Sequence, residues 1–128
     1  MSYTLTRVIS GTEMDAVDAR TRAALTDKGF GVLTEIDVQA TMKKKLDRDM
    51  PGYRILGTCN PNMAWDAIKM EPRVGAMLPC NVILREIDEG IELSAVDPVA
   101  SMSGIDNDSL KTVADEVRKL LQNVVDAV

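Results

Sequence analysis

The sequence predicts an α+β fold in two layers: a mainly antiparallel sheet with helices packed on it, in the order βαβαβαββα. Three observations carry that prediction. Segments with strand-like alternation take turns with segments of helical spacing from the first strand to about residue 70. A tight-turn signal, Asp88-Glu89-Gly90, joins two apolar runs directly, so those two strands pair as a hairpin. The final segment, from Leu110 to Val128, repeats its apolar residues at helical spacing and has one face to bury.

Each element follows in turn. Residues 3–9 read as a strand. Thr12 with Asp15 three residues later resembles a capping box. It opens a helix over about 13–28, with Met14, Val17, Thr21, Ala24 and Leu25 on one face and Gly29 as its stop. Residues 30–37 alternate as a second strand. Residues 38–48 form a short basic helix with Val38, Met42 and Leu46 on its apolar side, ended by Pro51-Gly52. Tyr53 to Cys59 is the third strand. Asn60-Pro61 then supplies an N-cap acceptor and a first-turn proline with no N–H to lose. That helix turns Ala64, Ala67 and Ile68 inward and ends before Pro72. Residues 74–88 read as one long strand, and Pro79 within it implies an edge position or a bulge. Ile91, Leu93 and Ala95 lie on the core side of the next strand. Asp97-Pro98 opens a polar loop to about residue 106, and Asp106 to Asp108 cap the last helix. No repeat, low-complexity tract or linker divides residues 1–128, which read as one domain.

Composition narrows the function classes. The chain is 45% hydrophobic and 27% charged over 128 residues, ordinary values for a globular protein. A chain of this length buries roughly two thirds of its surface without help from disulfides or metals. The net charge is −5, and the one dense basic run, Lys43-Lys44-Lys45, is followed by Asp47 and Asp49. No nucleic-acid partner is therefore expected, and no acidic membrane surface. No stretch approaches the ~20 apolar residues of a membrane span, and the N-terminus lacks the layout of a signal peptide. The expected location is cytoplasmic, with the two cysteines as free thiols in a reducing compartment. The absence of histidine removes imidazole general bases, Ser–His and Cys–His dyads, and zinc sites that need imidazole. No cofactor is expected.

Two segments stand out as a candidate site: Gly57-Thr58-Cys59-Asn60-Pro61 and Leu78-Pro79-Cys80-Asn81-Val82. Each sets a Cys-Asn pair beside a proline and a break in regular structure. Cys59 ends a strand just before a helix N-terminus, a position that favours a thiolate. Cys80 adjoins the expected bulge, a feature common beside active sites. The plain alternative is that both cysteines are small buried hydrophobes. Neither has the C-x-x-C spacing of a redox or zinc motif. Four of the eight methionines, Met63, Met70, Met77 and Met102, fall near the cysteines in sequence. Sulfur ligands of both kinds suit Cu(I), while methionine also simply fills gaps in cores. Trp65 points away from the inward face of its helix and could serve as an interface anchor.

These segments, with Gly29-Phe30, Ile36-Asp37-Val38, Lys45-Leu46, Tyr53-Arg54-Ile55-Leu56 and Ala64, resemble the domain-of-unknown-function 302 family over nearly the whole chain. The one departure is Thr58, where the resemblance leads to the expectation of a smaller residue. The resemblance implies a two-layer domain with an antiparallel sheet, a topology similar to one repeat of the TATA-binding protein, and a homodimer. It implies no activity.

The expected function is a small-molecule or thiol-dependent binding domain whose ligand-binding residues are Cys59, Asn60, Cys80 and Asn81. The rivals are a thiol redox protein in which Cys80 resolves an oxidised Cys59, a soft-metal (copper) binder, and a structural or interaction module with inert cysteines. In every reading but the last the two Cys-Asn segments must meet. Strand alternation suggests that both cysteines point to the covered face of the sheet or line a pocket at its rim, without a disulfide between them.

Overall fold

A computed structural model of the chain describes residues 2–128. Strands β1 (Thr4–Ile9), β2 (Gly31–Asp37), β3 (Tyr53–Cys59), β4 (Cys80–Ile87) and β5 (Gly90–Val96) form one sheet in the order β1-β5-β4-β3-β2. All four pairings are antiparallel. Helices α1 (Met14–Asp27), α2 (Val38–Leu46), α3 (Pro61–Met70), α4 (Pro98–Ser101) and α5 (Asp108–Ala127) intervene or follow. The order is the expected one, with α4 and one 3₁₀ segment added.

The sheet is two-sided because register partners share a face. Leu5 and Ile9 of β1, Leu56 of β3, Val82 and Leu84 of β4, and Leu93 of β5 point to one side and are buried. Met14, Val17 and Leu25 of α1 and Leu121, Val124 and Val125 of α5 pack against them as the main core. Helix α1 stops in a Schellman motif: Phe30 N–H donates to the Leu25 carbonyl and Gly29 N–H to that of Thr26. Gly29 has φ +84°, the left-handed geometry that glycine adopts freely. Phe30 and Leu25, the pair this motif brings together, are both buried.

Charged residues lock the helices to the sheet. The Asp18 carboxylate on α1 is 7% exposed and accepts from Arg22 Nε at 2.6 Å and Arg54 Nη1 at 2.9 Å. Burial raises the pKa of Asp18, but the two guanidinium groups outweigh it and hold the carboxyl below its usual range. Arg7 on β1 donates to the Val125 and Asp126 carbonyls at the end of α5, where a cation suits the helix dipole.

Several sequence expectations are corrected here. The strand expected over 74–88 begins only at Cys80. Its first part is a 3₁₀ segment, Pro72–Met77, with Val74 as its buried contact. Proline at the first position and Gly75 inside favour a tight turn over a strand. Pro79 thus precedes the strand, joined to Leu78 by a cis peptide bond, and β4 is a central strand, not an edge. The bulge lies instead in β2, between Val32 and Thr34. The Thr12–Asp15 capping box does not form: Glu13 is the N-cap without a side-chain bond, and Asp15 is held by Arg54. The polar loop after Asp97 contains α4, which the Asp97 carboxylate caps. Among the described residues no helix is long and apolar enough to cross a membrane.

Candidate functional site

The site begins with the junction of β3 and α3. Asn60 is the N-cap of α3: its side-chain oxygen accepts from Met63 N–H at 3.4 Å, and Pro61 takes the first helical position. Helix α3 then packs chiefly against α5 and the 3₁₀ segment rather than against the strands. A second, smaller cluster of buried residues forms there: Ala67 of α3, Val74 of the 3₁₀ segment, Met102 after α4, and Leu110 and Ala114 of α5.

Between that cluster and the main core lies a cavity of about 330 Å³. Phe30, Cys80 and Val117 line it from the main core, and Ala67, Met102 and Ala114 from the smaller cluster. No charged side chain lines it. Leu33, 65% exposed, and Ile68, 46% exposed, belong to the same wall and mark its mouth. A size above about 300 Å³ and an apolar lining with few polar groups are usual for a small-molecule site.

Three of the four residues singled out from sequence meet here. Cys59, Asn60 and Cys80 all line the cavity. Asn81 does not. It is the register partner of Gly57 on the other face of the sheet, and it faces a separate shallow depression beside Met77 and Val96. Alternation along β4 dictates this: neighbours in a strand point opposite ways.

The two cysteines were expected to point to the covered face or to line a pocket at its rim; both line the cavity, and they reach it by different routes. Thr58, not Cys59, is the register partner of Cys80. Partners stand about 4.5–5.5 Å apart, which puts the Cys59 Cα about 5.5–6.5 Å from that of Cys80. Regular alternation alone would turn Cys59 to the open face. Cys59 is, however, the last residue of β3, and β4 begins opposite Thr58, so the chain is already turning into α3 there. Both thiols are free.

Their environments differ. Cys80 is 8% exposed, and burial, with a smaller contribution from nearby Cys59, pushes its thiol up to about 11. Cys59 is half-buried. The hydroxyl of Thr58, fully buried, donates to the Cys80 carbonyl at 3.0 Å and fixes the start of β4 at the cavity wall. The larger residue at position 58 therefore has a structural task.

Sequence reasoning missed most of the wall. Ala64 and Ile68 were expected to pack inward and instead border the cavity. Leu110, Val113 and Ala114 belong to the stripe of α5, whose first turns face the cavity while later turns face the sheet. The small Ala114 amid larger apolar residues was the available signal. A second, polar groove near Arg54 and Glu86 is occupied at one side by the Arg54–Asp15 ion pair.

Fold and cavity together define a two-layer α+β domain with an apolar pocket under its third and fifth helices. The family model of the domain of unknown function DUF302 matches residues 6–128. The chain belongs to that family. A crystal structure of an uncharacterized conserved DUF302 protein from Bacillus stearothermophilus is similar in fold, with a TM-score of 0.93 at 24% identity, covering 99% of this chain and 98% of that one. No curated protein matches the chain.

Proposed function

We propose that the protein is a cytoplasmic small-molecule binding domain whose ligand is compact and apolar and sits in the cavity beside Cys59, Asn60 and Cys80. The cavity carries this reading, because its wall draws on both Cys-Asn segments and holds no charge. A charged ligand would lose its hydration there without a partner. Asn60 supplies a polar edge: its amide oxygen is engaged by the cap of α3, which leaves its side-chain N–H2 as a donor. A neutral apolar dye, N-phenyl-1-naphthylamine, tests the reading. Trp65, the single tryptophan, stands on α3 near the mouth and serves as energy donor. Saturable binding of one dye per chain is expected, abolished in a folded Ala114→Phe variant that fills the cavity. Non-saturable binding, or binding indifferent to the filler, sinks it.

A second observation favours a homodimer. Ile36, Ile55 and Ile83 stand side by side across β2, β3 and β4 on the face of the sheet opposite α1 and α5, with Ile36 46% exposed. An apolar strip of this kind is a common interaction surface. Light scattering at micromolar concentration should give a dimer mass, and Ile36→Lys should shift it to the monomer. A monomer mass for the unmodified chain overturns this.

A further inference from the structure

The cavity gathers sulfur. Of the four methionines near the cysteines in sequence, the structure separates two from the others. Met63 and Met102 line the cavity together with Cys59 and Cys80, whereas Met70 and Met77 are each 42% exposed and lie outside it. Two thiols and two thioethers thus border one apolar space. The remaining side-chain oxygens of the wall are committed elsewhere: the Thr58 hydroxyl to the Cys80 carbonyl, the Asn60 oxygen to the cap of α3. Among the described residues no group of three His, Cys, Asp or Glu side chains gathers to hold a metal ion. The donors here therefore offer nothing to calcium, magnesium or an imidazole-seeking metal, and thiolate with thioether is the set that selects Cu(I).

We propose that the cavity is a Cu(I) site, with the Cys59 thiolate and the Met63 and Met102 thioethers as its sulfur donors. The inference goes beyond the apolar-ligand reading and shares its cavity.

Charge balance assigns unequal roles to the two cysteines. An apolar cavity penalises net charge. Cu(I) bound by one thiolate and neutral thioethers carries none: the ion arrives with one positive charge, and one thiol proton leaves to solvent. Cys59, half-buried at the end of β3, is the thiol that gives up its proton. Cys80, enclosed among apolar neighbours, keeps its proton and lines the site without binding the ion, because a neutral thiol is a poor metal ligand. No electron is transferred in this step. The methionines add donor atoms at no cost in charge.

The test is competition for Cu(I) against the chromophoric chelator bicinchoninate, without oxygen and under reducing conditions, on the full chain. Transfer of one Cu(I) per chain is expected. Cys59→Ser should abolish transfer, and Cys80→Ser should leave it nearly unchanged. The double variant Met63→Leu/Met102→Leu keeps the side-chain volumes and hence the fold. It should lower affinity by at least about tenfold, or about 1.4 kcal/mol. Met70→Leu/Met77→Leu should leave it unchanged. No transfer to the unmodified chain overturns the proposal, as does equal binding by the Met63/Met102 variant, which would place the ion on the surface. The dye of the preceding section separates the two readings: dye binding without copper transfer leaves the apolar-ligand reading alone standing, and copper transfer without dye binding leaves the metal site alone. Where both bind, copper should displace the dye.

Discussion

Thr58 and Cys80 face each other across β3 and β4, and the Thr58 hydroxyl donates to the Cys80 carbonyl over 3.0 Å. This bond ties the first residue of β4 to the strand beside it, at the wall of the cavity. Thr58→Val keeps the shape and removes the donor. A loss of about 1 kcal/mol in chemical denaturation is expected, with Thr58→Ser nearer the original.

Gly57 lies under a lid of side chains on the open face. A Cβ there would run into the Thr34 hydroxyl and come within 2.9 Å of the Pro79 ring. Gly57→Ala should cost about 1–3 kcal/mol by overpacking. Thr34→Ala should recover part of that loss in a double-mutant cycle, because the hydroxyl is the nearer obstacle.

The two thiols should be distinguishable by alkylation. Under native conditions iodoacetamide should modify Cys59 first, with peptide mass spectrometry identifying the position. Cys80 should react only as the cavity wall opens, and at the rate of Cys59 once denaturant is added. Equal native rates would contradict the buried placement of Cys80.

Cys80 also predicts an alkaline limit to stability. Its folded value of about 11 lies above its ordinary value of 9.0, so the unfolded chain loses this proton first. Stability from this group is complete below pH 9 and declines from there as pH rises through the folded value. The total decline is about 2–3 kcal/mol. Urea midpoints measured across that range should fall in the unmodified chain and hold flatter in Cys80→Ala.

Asp18 predicts the opposite limb. Its folded pKa is depressed by Arg22 and Arg54 despite burial, so its contribution is present above the ordinary carboxylate value and vanishes as pH falls through the lowered one. Asp18→Asn should destabilise at neutral pH by about 1–3 kcal/mol and show a shallower loss below pH of about 4. Acid denaturation followed by circular dichroism compares the two.

Most elements could be read from the chain because their end signals are local. Asn60-Pro61 opens α3 as expected, and Gly29 stops α1 by a hydrogen-bond pattern contained within a few residues. The failures occurred where tertiary pairing decides. Val32 and Ile36 have the same parity in sequence, yet the bulge between Val32 and Thr34 sends Val32 to the covered face with Thr58 and Ile36 to the open face with Ile55. Residues 74–77 were read as the start of a strand, and only the packing of Val74 against α3 and α5 reveals a tight turn over Pro72–Met77. For the site, Cys59, Asn60 and Cys80 were visible as residue types beside structural breaks. Asn81 followed Cys80 in sequence but not in space, since alternation separates them. The helical half of the wall depends on how α3 and α5 meet, which no local pattern encodes.

Gly29 has one more neighbour. A Cβ there would stand 3.3 Å from the Asn60 amide nitrogen, so the stop of α1 and the start of α3 rest on each other. A side chain at position 29 would strain a backbone at φ +84° and also lean on the residue that caps α3. Asn60 opens the helix that carries Ile68 at the cavity mouth, so a substitution at a glycine outside the cavity wall would bear on the width of that mouth.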